Sequence, residues 1–191
     1  MPPEPERSRR VDMATVAVIA TALVVHLAIV LTRRFQLAPD EALFWDWARH
    51  LQLGYAEKPP MVAWVIAATR AIAGDTEAGV RLAAPWLTAF TVSCVAWLTR
   101  AMYSSLHALM AACTLLAMPL INAGGVLITP DTPMGAAWAA TLVLAWRASR
   151  RGGLAPWLAV GYGQAGGRPG RQERGVRPHI GCSLVIRRSA K

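Results

Sequence analysis

Apolar residues in this chain run in long blocks rather than alternating with polar ones. Met13–Thr32, Gly79–Thr99, Leu106–Ala123 and Thr132–Trp146 are each roughly 15–20 residues, near the length that crosses a bilayer core of about 30 Å. Only helices and closed barrels satisfy their backbone in lipid, and period-two alternation is lacking here, so each block is predicted to be a spanning helix. A fifth begins at Leu154-Ala155-Pro156-Trp157 and stops by Gly161. Met61–Ala73 is apolar but too short to span and carries Arg70, so it is predicted to lie in the interface, ended by Gly74-Asp75. The fold class is all-α, a polytopic membrane protein. The first block is longer than the roughly 7–15-residue apolar region of a secretory signal, and it ends in Thr32-Arg33-Arg34 instead of a small-residue cleavage site. It is therefore expected to be retained. His26, deep within it, reads as a neutral histidine facing another helix.

Charge sets the expected orientation. The chain has 191 residues, 54% of them hydrophobic, and a net charge of +9. Arg7, Arg9 and Arg10 precede the first helix, Arg100 follows the second, and Arg147, Arg150 and Arg151 follow the fourth. Even numbers of crossings separate these clusters, so they share one side, which the excess of arginine marks as cytoplasmic. Arg33 and Arg34 argue weakly the other way. Asp40, Glu41, Lys58 and Asp131 then fall on the external face. Three cysteines without a CxxC or Cys/His cluster indicate neither a disulfide framework nor structural zinc.

The organisation expected is a cytoplasmic N-terminus (1–12), a transmembrane region (13–161) and a basic tail (162–191) without fixed structure. The tail holds six Arg and one Lys against one Glu, with Arg168, Arg171, Arg174 and Arg177 three apart. A membrane-surface or nucleic-acid tail would have this charge. The abrupt switch from apolar helix to Gly, Arg and Pro near Gly161–Gly163 instead favours GC-rich coding sequence read out of frame. The tail's charge then carries no message about partners, and no nucleic acid is expected.

The segment Pro39–Pro60, PDEALFWDWARHLQLGYAEKPP, concentrates the candidate chemistry. Pro39 suits a first helical position, and Asp40 and Glu41 suit the first turn, where the helix dipole favours anions. At about 100° per residue, Leu43, Phe44, Trp47, Ala48 and Leu51 share a face. Asp40 projects near its centre, Glu41 lies at its edge towards water, and Asp46, Arg49 and His50 lie opposite. This predicts an interfacial amphipathic helix, with Trp45 and Trp47 at headgroup level. Asp40 is either a simple cap or a carboxylate held at the lipid boundary as general base or metal ligand. Lys58 precedes Pro59-Pro60 at the next helix start. It either snorkels to headgroups or joins the backbone N–H groups in holding an anion such as a lipid phosphate. Asp131, in Thr129-Pro130-Asp131-Thr132-Pro133, is either an N-cap or a third site residue. Arg81 pairs with Asp40, Asp131 or a phosphate, or snorkels. Neither GxxxxGK[ST], HExxH nor GxSxG occurs.

These residues resemble a family pattern. Pro39-Asp40-Glu41, Trp45-Asp46-Trp47-Ala48 with Gly54-Tyr55, Glu57-Lys58-Pro59-Pro60, Gly79-Val80-Arg81-Leu82 and Thr129-Pro130-Asp131-Thr132-Pro133 occur in the order seen in the N-terminal part of family 39 glycosyltransferases. That group includes protein O-mannosyltransferases and the aminoarabinose transferase acting on lipid A. The resemblance runs from about Met13 to Val160. It implies the N-terminal part of a GT-C transmembrane fold and a membrane glycosyltransferase of the bacterial inner membrane. Sugar would pass from a polyprenyl-phosphate donor to an extracytoplasmic acceptor. Asp40 would correspond to the catalytic acidic residue, taking the acceptor's proton or holding a divalent metal, with Glu41 and Asp131 as further acidic site residues. Lys58 would correspond to the lysine on the lipid phosphate, with Arg81 as a second cation. Family members are several hundred residues long, so this chain is expected to be truncated and inactive as it stands. The competing expectations are a transporter fragment, disfavoured because charge gathers at one interface instead of mid-membrane, and a remnant without catalysis.

Overall fold

The computed structural model describes residues 4–32, 36–55 and 58–151, and all regular structure among them is helical. The first helix, α1 (Glu4–Leu31), begins well before the apolar block. Its Arg- and Glu-rich start favours helix, and Arg10 Nη2 donates to Glu6 Oε1 at 2.6 Å, one turn away. Then come α2 (Pro39–Trp47) and α3 (Met61–Ala73), both short, as the pattern predicted. The second predicted span is two abutting helices, α4 (Glu77–Arg81) and α5 (Ala83–Met102). Thr76 starts it as N-cap, accepting from the Gly79 N–H at 3.2 Å. Gly74 turns the chain with φ 84°, and a Cβ on Gly79 would sit 2.2 Å from the Gly74 carbonyl oxygen. The predicted fifth helix and the 162–191 tail, with its boundary, lie outside the described residues.

The third predicted span departs from one straight helix. It is split into α6 (Ser105–Ala117) and α7 (Pro119–Val126), which meet at 72°. Pro119 has no N–H to donate, and it forces Met118 into extended backbone (φ −75°, ψ 125°). Asn122 mends the break. Its Nδ2 donates to the carbonyls of Leu116 (2.6 Å) and Met118 (3.1 Å). Its Oδ1 lies 3.1 Å from His26 Nε2. His26 is buried and faces α7, packed where Gly125 leaves room for the ring.

The fourth predicted span also needs correction. Helix α8 (Asp131–Arg151) has 21 residues, but Asp131, Arg147, Arg150, Thr132 and Thr141 dilute its apolar stretch. Among the described residues, two helices are long and apolar enough to cross a membrane, Pro5–Leu31 and Glu77–Met102, or three if α6 and α7 count as one bent span. The chain is an all-α membrane protein.

Helix α5 is the centre of the bundle, packing on α1, α6, α7 and α8. One core uses small residues, Ala96, Ala108 and Ala112 with Val92, which let helices approach closely. A second joins α2, α3, α4 and the start of α5 to the loop before α8 through Phe44, Val62, Ile66, Val80, Ala84 and Ile128. The far end is basic. There Arg100 holds Asp12 with two hydrogen bonds of 2.7 Å, and Arg147 lies 4.8 Å over the Trp97 ring. Because α1 and α5 run antiparallel, this end is opposite the α2–α4 cap.

A methyl group on Gly125 would lie 2.4 Å from His26 Nδ1. Gly125→Ala is therefore expected to destabilise the bundle by about 1–3 kcal/mol, the usual cost of overpacking. Thermal unfolding in detergent checks this, and a midpoint equal to the parent's would contradict the close packing of α1 on α7.

Candidate functional site

Glu41 organises the end of the bundle where the candidate residues gather. It is the third residue of α2, and its Oε2 reaches back to accept from the Ala38 N–H at 3.0 Å, the carboxylate half of a capping box. Arg81 Nε donates to Oε1 at 2.9 Å and to Oε2 at 3.1 Å, and Arg81 Nη2 also donates to Oε2. The Ile128 N–H, just before α8, donates to Oε1 at 3.0 Å. Arg81 Nη2 further donates to the Gln36 carbonyl at 2.9 Å. Both charged side chains are almost wholly buried, with 5% of Arg81's and 2% of Glu41's exposed.

This overturns the expectation for Glu41. It was expected at the wet edge of the apolar face, yet it is buried in the protein, while Asp40 is exposed on the bundle's surface. The buried face proves to be Phe44 and Ala48, three and seven residues beyond Glu41, which shares their stripe. Leu43, three beyond Asp40, is exposed, and Leu51 lies past the end of the helix. The face of α2 that packs on the rest of the protein therefore runs through Glu41, Phe44 and Ala48, and Asp40 and Leu43 lie off it.

The other end of α2 is tied down by Asp75, which the sequence marked only as a helix stop. The Trp45 indole N–H donates to Asp75 Oδ1, Arg70 Nε donates to the same oxygen at 2.6 Å, and Arg49 Nη2 donates to Oδ2 at 2.9 Å. Arg49 also lies 4.8 Å over the Trp45 ring. After α2 the chain folds back. Tyr55 stacks on Trp47 with ring centroids 4.4 Å apart, and its hydroxyl donates to the Trp47 carbonyl at 2.9 Å. Trp64 of α3 donates from Nε1 to the Gln52 carbonyl at 3.1 Å.

Held by these ties, Asp40, Lys58 and Asp131 are all exposed. Among the described residues their side chains make no hydrogen bond or ion pair, so Asp131 is not capping α8 through its carboxylate. Asp131 borders a cleft of about 320 Å³ between α5, α7 and α8, with Thr88, Thr91, Thr132 and apolar Leu120 and Leu127 in its walls. Asp40, Lys58 and Arg81 do not line it. The structure thus brings Glu41 to Arg81, and through Ile128 to the loop carrying Asp131. It leaves Asp40 and Lys58 as separate charges on the same end. A divalent cation takes several oxygen ligands, and among the described residues no group of three His, Cys, Asp or Glu side chains gathers at Asp40 or elsewhere.

Sequence reasoning missed Asp75, Gln36 and the Ile128 N–H. The last two act through backbone atoms, which carry no side-chain signature. Trp45 and Arg49, one turn apart, were a faint signal that something anionic faces that side of α2.

A family model described as dolichyl-phosphate-mannose-protein mannosyltransferase matches residues 57–176, more than half of the chain. Over 36 residues the chain is 53% identical to the lipid A galacturonosyltransferase RgtD of Rhizobium johnstonii. That stretch is 19% of this chain and only 8% of the relative's length. No solved structure matches.

Asp75 offers a pH test of the tie on α2. Its carboxyl is held below the usual carboxylate range by the Arg70 hydrogen bond first, then by the Trp45 indole, with Arg49 and Arg70 charges adding and slight burial opposing. A lowered folded-state pKa stabilises the fold fully above the unfolded value of about 3.9 and is lost as pH falls through the folded value. The stability difference between the parent and Asp75→Asn is therefore expected to hold steady from neutral pH to about 4 and to shrink below it. Urea titrations across that range check this, and a pH-independent difference would contradict it.

Proposed function

The chain belongs to the dolichyl-phosphate-mannose-protein mannosyltransferase family, and on that premise we propose that it supplies part of the site of an enzyme that transfers a sugar from a polyprenyl-phosphate donor to an acceptor hydroxyl outside the cytoplasm. The observation that carries this is the division of labour among the charges. Glu41 and Arg81 are consumed by each other, while Asp40, Lys58 and Asp131 stand exposed and uncommitted at one end of the bundle.

In this reading the protein is a multi-pass protein of the bacterial inner membrane. The basic end, with Arg7, Arg100 and Arg147, faces the cytoplasm, as excess arginine favours. The α2–α4 cap then faces outward, where acceptors are met.

Asp40 accepts the proton of the acceptor hydroxyl as its oxygen attacks the anomeric carbon. The anomeric C–O bond to the donor breaks, and its electron pair leaves with the phosphate. Lys58 places a fixed cation where that negative charge grows, which stabilises the transition state more than the ground state. Asp131, at the mouth of the cleft, orients the sugar or acceptor through its carboxylate. Arg81 is left out of phosphate binding because Glu41 holds it. The matched names span a protein acceptor and a lipid acceptor, and both present a hydroxyl to this chemistry.

Transfer of labelled sugar from a polyprenyl-phosphate donor in proteoliposomes tests the reading. Asp40→Asn and Lys58→Ala are each expected to lower the rate at least about 100-fold, the scale of losing a general base or a transition-state charge. Parent rates in both variants, made in a transferase of full family length that contains this sequence, would overturn the assigned roles, and absence of transfer by that unaltered transferase would overturn the activity.

A further inference from the structure

We infer that Glu41 and Arg81 are a positioning pair, which fixes the helix carrying Asp40 relative to the loop carrying Asp131. This rests on the proposed transfer site for its purpose, but the geometry stands without it. One carboxylate receives donors from three separate segments. These are the Ala38 N–H ahead of α2, the Arg81 guanidinium at the end of α4, and the Ile128 N–H ahead of α8. Arg81 adds a fourth tie through the Gln36 carbonyl. Asp40 is adjacent to Glu41, and Asp131 is three residues beyond Ile128. Each exposed carboxylate is therefore within three residues of an anchor on the same buried ion pair.

The energetics favour a positioning role over a merely stabilising one. Burying an ion pair costs desolvation that its attraction only roughly repays, so such a pair is weak evidence for stability and is better explained by what it orders. Here it orders segments far apart in sequence, with Arg81 lying 40 positions and Ile128 lying 87 positions beyond Glu41. The apolar contacts of Phe44, Val80 and Ile128 are non-directional. They hold these segments together but leave small sliding and rotation open. A two-pronged guanidinium–carboxylate contact with a third directed N–H removes that freedom.

The experiment reads the geometry directly. Spin labels at Leu43→Cys on α2 and Met134→Cys on α8, with Cys94, Cys113 and Cys182 replaced by alanine, report the separation of the two segments by double electron–electron resonance in nanodiscs. The parent is expected to give one narrow distance distribution, and Glu41→Gln a broadened or shifted one with helix content unchanged. Because a lone buried charge can prevent folding, Glu41→Met/Arg81→Met provides a second variant with similar volume and no charge. It too is expected to broaden the distribution. A narrow, unshifted distribution in the folded variants overturns the positioning role. Sugar transfer measured on the same samples separates this from the transfer reading. An unchanged distance with lost transfer overturns positioning while leaving the transferase reading in place. A broadened distance in a protein of full family length whose parent shows no transfer supports positioning and overturns the transferase reading.

Discussion

The buried pairing of Glu41 with Arg81 is the constraint on which the upper part of this structure depends. Two full charges sit in an apolar core made by Phe44, Ile66, Val80 and Ile128. Each would be intolerable there alone. The pair is accommodated because every lone pair that faces inward meets a directed donor, and because the guanidinium reaches a carbonyl beyond its partner. The first loop, the start of the second span and the start of α8 consequently share a single electrostatic centre. A different set of loop positions would leave a buried charge unmatched, so the arrangement is specified more sharply than apolar packing alone could specify it.

Below that cap the logic is that of lipid. Without a hydrophobic drive between helices, close approach of small residues and a few buried polar links do the packing. Ala96, Ala108 and Ala112 give the approach, and His26 with Asn122 gives the link. The same asparagine satisfies carbonyls freed by the Pro119 break, so the bend in the α6–α7 pair and the seating of α1 are one feature. The basic end and the acidic end are separated by the full length of the bundle.

Much of this was legible in the sequence. Blocks of apolar residues gave α1, α5 and the short α3, because lipid imposes helix on a single span that crosses it. The family was legible too, and a match over residues 57–176 bears out the resemblance. What escaped was two-dimensional or non-local. The helical wheel put Glu41 at the wet edge of α2, and tertiary packing instead buries it in one stripe with Phe44 and Ala48. The partner of Arg81 was left open among Asp40, Asp131 and phosphate, and the structure chose Glu41, which was expected to face water. The break at Pro119 was readable in principle, since a proline inside a helical block disrupts the hydrogen-bond ladder. Asp75 was invisible because its three donors come from two helices whose mutual angle no local pattern encodes.

The central claim is that Glu41 and Arg81 act as one coupled unit, and a double-mutant cycle on unfolding stability tests it most directly. Glu41→Ala, Arg81→Ala and the double variant are compared with the parent in detergent. Removing either partner alone is expected to cost about 3–5 kcal/mol, because the other charge is left buried and unmatched. The double variant is expected to cost far less than the sum of the two. Single costs that simply add would contradict the account, since they would mean that the two side chains stabilise the fold independently.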